Sequence, residues 1–121
     1  MTTLKLRILF DGAMLGPGKA ELLERIRDTG SISAAGRGME MSYKRAWMLV
    51  EEMNSAFNSP LVESMRGGSG GGGARLTKTG DEVLRLYRAV EDRALAAAAP
   101  EIAAIEALLR PATNVDIPDR K

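Results

Sequence analysis

A mainly α fold with a small β wing is predicted by three observations in residues 30–80, "GSISAAGRGMEMSYKRAWMLVEEMNSAFNSPLVESMRGGSGGGGARLTKTG". Two serine-led helix starts follow one another closely, at Ser33 and Ser42. A glycine-rich tip, 67–73, separates two short strand-like runs. A threonine cap at Thr77 then opens a long helix with an apolar stripe. The order helix, helix, strand, tip, strand, helix is that of a winged helix-turn-helix with a long C-terminal dimerisation helix, and it predicts a chain that binds duplex DNA.

Each element has its own local reason. Residues 4–10, "LKLRILF", put Leu4, Leu6 and Ile8 on one face and Lys5 and Arg7 on the other, the period of a strand. Asp11-Gly12 turns the chain, and Ala13-Met14-Leu15 forms a short return strand. The first helix runs over 18–29, with Pro17 near its first position and Gly30 just past its end. Its stripe is Leu22, Leu23 and Ile26, while Glu21, Glu24, Arg25 and Arg27 face water. Ser33 caps a very short helix from Ala34 to about Met39, whose small residues allow close packing. Ser42 caps a helix over 43–57, in which Tyr43, Ala46, Trp47, Val50, Met53 or Asn54, and Phe57 recur at helical spacing. Its other face carries Lys44, Arg45, Met48, Glu51, Glu52 and Ser55. Asn58-Ser59-Pro60 ends that helix. Leu61–Arg66 and Ala74–Leu76 are the wing strands. Thr77 caps the long helix, Lys78 to about Ala99, striped by Val83, Leu84, Leu86, Tyr87, Val90, Ala94 and Leu95. Pro100 interrupts, and Glu101–Leu109 form a further helix.

A chain of 121 residues has room for one modest core. The expected organisation is a DNA-binding unit over 1–99 that includes the dimerisation helix 78–99, an extra helix over 100–110, and a mobile tail over 111–121. The net charge is only +1, so its distribution carries more than its total. From Ser64 to Gly80 stand Arg66, Arg75 and Lys78 with no carboxylate, and Lys44 and Arg45 make a second basic pair. Charge segregated in this way suits one polyanionic partner. The chain has no Cys and no His. Disulfides, thiol nucleophiles, serine–histidine relays and the usual zinc sites are therefore excluded. No acid–base or nucleophile constellation can be assembled from the remaining groups, so no enzyme activity and no cofactor are expected. There is no apolar run of about 18 residues and no apolar leader, so no membrane partner is expected and the predicted location is cytoplasmic.

The strongest motifs also have plainer readings. The helix pair 33–57 reads as a helix-turn-helix or as an ordinary helical hairpin with a solvated face. The wing favours the former. Within it, Ser42, Lys44, Arg45 and Met48 occupy the exposed N-terminal half, and Glu51 and Glu52 lie farther along, where a phosphate would be repelled. The glycine run reads as a phosphate loop, a linker or a wing tip. A phosphate loop requires a lysine and a hydroxyl directly after the last glycine, whereas Ala74-Arg75-Leu76 follow. A linker requires a foldable unit on each side. The wing tip remains. Trp47 and Phe57 are assigned to the core, since an aromatic stripe at helical spacing is usually packing. Tyr43, one position past the cap, can serve both core and surface. The seven Met residues are mostly packing atoms.

Together, "LGPGKAELLERIRDTGSISAAGRGMEMSYKRAWMLVEEMN" and "PLVESMRGGSGGGGARLTKTGDEVLRLYR" resemble the N-terminal DNA-binding domain of ModE-type molybdate-responsive regulators, a winged helix similar to that of LysR-type regulators. The resemblance covers about residues 4–95 and rests on "SISAA", "MSYKRAW" and "GGARLT" in combination. It implies a transcription regulator linked to molybdenum metabolism. Two departures stand out. Such regulators continue into a molybdate-binding part with an oligomer-binding-like fold, whereas this sequence stops at Lys121, so no stoichiometric molybdate binding is expected of it. The position before Met41 is commonly glycine in that family and is Glu40 here. If the site needs a positive φ, Glu40 is strained by about 1 kcal/mol or more.

The expected function is thus a homodimeric, sequence-specific regulator on double-stranded DNA. The expected DNA-contacting residues are Ser33, Ser42, Tyr43, Lys44, Arg45, Arg66, Arg75 and Lys78. The expected dimer stripe is Val83, Leu86, Tyr87, Val90 and Ala94, too long for one small domain to cover. The alternative is a winged protein-interaction module, or a modulator that forms mixed dimers with a full-length ModE-type paralogue.

Overall fold

The computed structural model describes residues 2–65 and 73–111. Of the predicted wing tip, 67–73, all but Gly73, which opens β4, lies outside the described residues, as do Arg66 and the tail from 112 onward. The element order is β1 (Ile8–Phe10), β2 (Ala13–Leu15), α1 (Pro17–Thr29), α2 (Ile32–Gly38), α3 (Tyr43–Ala56), β3 (Val62–Met65), β4 (Gly73–Leu76), α4 (Lys78–Ala97) and α5 (Ala99–Glu106). This is the winged helix-turn-helix expected from the sequence, with the long C-terminal helix in place. Two antiparallel hairpins flank the helical core. In one, Ile8 faces Leu15, and in the other, Val62 faces Leu76.

Helix α1 is the centre of the core. Leu22, Leu23 and Ile26 are fully buried at its apolar stripe, as the spacing predicts. Pro17 lies at its first turn, and Gly30 closes it at φ 73° with its N–H on the Ile26 carbonyl. That loop also receives the wing, because Ala74 N–H donates to the Gly30 carbonyl at 2.9 Å. Helices α2 and α3 touch where both are smallest. A Cβ added at Gly36 would lie 2.9 Å from the Ala46 Cβ, so a larger residue there would push the two helices apart.

The turn between α2 and α3 closes with the Met41 N–H on the Gly36 carbonyl and the Glu40 N–H on the Arg37 carbonyl, each at 3.0 Å. This is the bonding pattern of a helix end that puts its next residue in the left-handed region, usually a glycine. Glu40 occupies that position at φ 60°. The strain anticipated at Glu40 is therefore real, and the turn has kept its geometry. We expect Glu40→Gly to stabilise the fold by about 1 kcal/mol, since relief of the Cβ clash outweighs the added freedom of the unfolded chain. The denaturation midpoint in urea checks this, and a downward shift would count against it.

Four local expectations need correction. Ser31, not Ser33, caps α2: its Oγ accepts from Ala34 N–H, because the helix starts at Ile32, two residues earlier than the small-residue run suggests. The first strand is confined to Ile8–Phe10, since only these residues have the return strand to pair with. Asn54 belongs to neither of the faces assigned to α3. Its Oδ1 accepts from Leu61 N–H and Val62 N–H, and its Nδ2 donates to the Val62 carbonyl, fastening the end of α3 to β3. Glu24, expected to face water, forms a two-point ion pair with Arg88 of α4. Arg88 also reaches Glu91 at 2.7 Å. The hydrogen bond to Glu24 leads in holding the Arg88 guanidinium above its ordinary range, against the opposing effect of partial burial.

Candidate nucleic-acid interface

Helix α3 presents three surfaces along its first two turns. Ser42 caps it, with Oγ accepting from Arg45 N–H at 3.0 Å. Because the side chain of an N-cap folds back on the helix, the next residues, Tyr43, Lys44 and Arg45, project from the first turn. All three are exposed, as is Met48 one turn on. Ala46, Val50 and Met53 point inward. Lys44 and Arg45 make no ion pair among the described residues, so their charge is uncompensated by neighbouring side chains. Glu51 and Glu52 are exposed in the later turns. Glu52 lies 3.7 Å from the Nζ of Lys19, a buried lysine that also donates to the Met14 carbonyl. That contact ties β2 to α3 and sets the N-terminal hairpin beside it.

The wing is built of different electrostatics from those the sequence suggests. Arg75 donates to Glu63 across the β3–β4 ladder, with Nε to Oε2 at 2.6 Å. The stretch 64–80 has no carboxylate, but the antiparallel register brings one in from residue 63. Lys78, in the first turn of α4, is exposed and makes no ion pair among the described residues. Thr77 caps that turn, accepting from Gly80 N–H.

Two residues at this surface escaped the sequence reading. Trp47, expected in the core, is 37% exposed and stacked on a Tyr43 that is 57% exposed. The ring centroids lie 6.4 Å apart at 14°. Helical spacing alone cannot separate these flank positions from the buried stripe, since both lie within one turn of it. The other is Arg37 of α2, exposed and donating to Ser33 Oγ at 3.0 Å. Its sequence signal is a lone cation in the last turn of α2, ahead of the α3 cap. The structure thus brings Ser33, Arg37, Tyr43, Lys44, Arg45 and Trp47 to the same two-helix unit, with Arg75 and Lys78 on the adjoining wing and its following helix.

On α4 the predicted stripe divides. Tyr87 is 1% exposed and belongs to the chain's own core, so it is withdrawn from any outward face. Leu86 and Val90 are 48% and 40% exposed, and Val83 and Ala94 are half-buried. Among the described residues, no helix is long and apolar enough to cross a membrane, and no three His, Cys, Asp or Glu side chains cluster as metal ligands.

The salt dependence of DNA binding tests the wing. Lys78→Ala is expected to lower the slope of log affinity against log salt by about one. Arg75→Ala should lower it by less, because Glu63 already compensates that charge. Glu63→Gln should raise affinity for any duplex. A slope unchanged by Lys78→Ala would remove the wing base from the interface.

Comparison with known proteins agrees with this geometry. Residues 18–81, from the start of α1 through the wing, match the bacterial regulatory helix-turn-helix proteins of the lysR family. The chain is 45% identical over 80 residues to the molybdenum-pterin-binding protein MopB of Rhodobacter capsulatus, covering 66% of this chain and 30% of that protein. It is 44% identical over 71 residues to the DNA-binding transcriptional dual regulator ModE of Escherichia coli K12, covering 59% of this chain and 27% of that protein. It is 36% identical over 91 residues to the transcriptional regulator ModE of Haemophilus influenzae, covering 75% and 34%. The chain spans about a third of the length of these curated relatives. The match runs over the whole unit that carries α2, α3 and the wing, and on that ground the chain belongs to the bacterial regulatory helix-turn-helix proteins of the lysR family.

Proposed function

We propose that the chain is a sequence-specific regulator that binds double-stranded DNA as a homodimer, in a role linked to molybdenum metabolism. The observation that carries the reading is the exposed first half of α3, where Lys44 and Arg45 stand without carboxylate partners among the described residues. In a helix-turn-helix this is the part of the second helix that reaches base edges in the major groove. Lys44 and Arg45 then contact bases or adjacent phosphates. Ser33, Ser42 and Tyr43 meet the backbone, and Arg66, Arg75 and Lys78 place the wing on flanking phosphates. The link to molybdenum rests on the names of the relatives, which include a molybdenum-pterin-binding protein and molybdenum transport proteins. The dimer rests on the Leu86 and Val90 face of α4.

In vitro selection of bound duplexes, with and without molybdate, tests the whole reading. It should enrich one palindromic sequence. Arg45→Ala should then weaken binding to that sequence by about 1–3 kcal/mol and relax preference at one or two positions, as for a bidentate base contact. Equal loss on selected and random duplexes would reduce Arg45 to a backbone contact, and selection that enriches nothing would count against sequence-specific regulation altogether.

A further inference from the structure

The side of α3 that faces the wing is aromatic and hydroxyl-edged, and among the described residues nothing fills it. Trp47, the single tryptophan of the chain, and Tyr43 form one wall of a cleft of about 430 Å³. The start of α2 and the wing strands form the other, through Ser33, Ser64 and Met65. Among the described residues, none that lines it is charged. A stacked aromatic pair left open to water is a cost to the isolated chain, and ordinary packing would have turned it inward.

The place of this cleft determines what can fill it. With the first half of α3 in the major groove and the wing beyond it, the sugar–phosphate strand that borders the groove must pass between them. Such a strand offers apolar deoxyribose faces and phosphate oxygens in alternation. The cleft offers the complement of each. The aromatic wall matches the sugars. Ser33 Oγ already accepts from Arg37 Nη1, so its own hydrogen is free to donate outward, and the contact holds the Arg37 cation at the rim. Ser64 supplies a second hydroxyl from β3. A carboxylate in the lining would repel phosphate, and none is there among the described residues.

We propose that the cleft between α3 and the wing seats one sugar–phosphate strand of the duplex, with Trp47 and Tyr43 packed on deoxyribose and Ser33, Arg37 and Ser64 donating to phosphate. The inference rests on the DNA-binding reading above and assigns Trp47 a role in it. The contribution of Trp47 is then apolar and indifferent to sequence. Its removal weakens random and selected duplexes alike and leaves the salt slope unchanged, whereas removal of Arg37 lowers the slope by about one.

The test uses the full chain, a random-sequence duplex and a selected duplex over a salt series, with the emission of Trp47 as the direct readout. Addition of either duplex should shift or quench that emission. Trp47→Ala should lower affinity about five- to a hundred-fold on both duplexes, and Trp47→Phe should recover most of it. A wild-type chain that binds no duplex at low salt overturns this proposal together with the DNA-binding reading. Salt-dependent binding with undisturbed Trp47 emission overturns the cleft assignment alone. So does a Trp47→Ala loss confined to the selected duplex, which would make Trp47 a base reader. The emission measurement needs no substitution, so a variant that failed to fold would not shield the proposal.

Discussion

Tyr87→Ala should destabilise the fold by about 3–5 kcal/mol, the range for deleting a buried large aromatic side chain. Tyr87 is 1% exposed and is the largest fully buried side chain. Its ring carries α4 into the core, and its hydroxyl donates to the Leu6 carbonyl at 2.6 Å, fastening the N-terminal segment to the long helix. A single domain of this size has total stability of about 5–15 kcal/mol, so the loss would remove a large share of it. Tyr87→Phe keeps the ring and abandons only the hydrogen bond, at about 1 kcal/mol. The two variants therefore separate packing from bonding. A pH dependence follows as well. Burial, and then the charge of Glu91, raise the Tyr87 phenol above its ordinary 10. The folded state thus favours the protonated phenol. That contribution is complete below pH 10 and is lost as pH rises through the higher folded value. Tyr87→Phe should remove this alkaline loss. Urea denaturation of the three proteins at neutral and alkaline pH measures each effect. A Tyr87→Ala shift below 1 kcal/mol would show that the ring is not an anchor of the core.

Leu86→Glu combined with Val90→Glu should convert the proposed dimer to monomer and lower affinity for a palindromic operator about 10²- to 10⁴-fold, the gain that two linked binding units hold over one. The physical case is the apolar surface that α4 keeps after Tyr87 has turned inward. Leu86 and Val90 lie one turn apart and stay substantially exposed. Val83 and Ala94 continue the line, and Ile105, Leu108 and Leu109 extend apolar surface beyond α4. Burying a leucine or valine is worth about 1.5–3 kcal/mol, and two-fold symmetry counts each contact twice. Two-fold pairing would set the reading helices about 34–36 Å apart, on successive turns of the duplex. Because both substitutions sit on the outward face, the fold of the monomer should survive. Sedimentation at micromolar concentration, alone and with a palindromic duplex, decides the matter. A wild-type chain that remains monomeric on that duplex would defeat the dimer.

The fold was legible in the sequence where local chemistry decides it. Pro17 and Gly30 bracket α1, Ser42 and Thr77 cap α3 and α4, and Leu22, Leu23 and Ile26 mark the buried stripe. Each of these signals acts within one or two turns of chain, so no knowledge of distant residues is needed to read it. The strain at Glu40 was legible only through the family resemblance, which sets a glycine at that turn position.

What the sequence determined by itself, then, is the element order, the caps of α3 and α4 and the exposed basic start of α3. Only the tertiary structure decided which groups would meet. Glu63 neutralises Arg75 because antiparallel pairing sets residues twelve apart side by side. Glu24 leaves the solvent to bind Arg88 because α1 and α4 pack together. Asn54 bridges to the wing strand because α3 ends beside it. Trp47 and Tyr87 exchanged their expected places for a related reason. Both lie at apolar helical positions, but α1 and β4 pack against α4, whereas among the described residues no element covers the flank of α3 toward the wing. Periodicity gives the face of a helix to within about a turn, and the neighbours available on each side decide which residues of that face are buried.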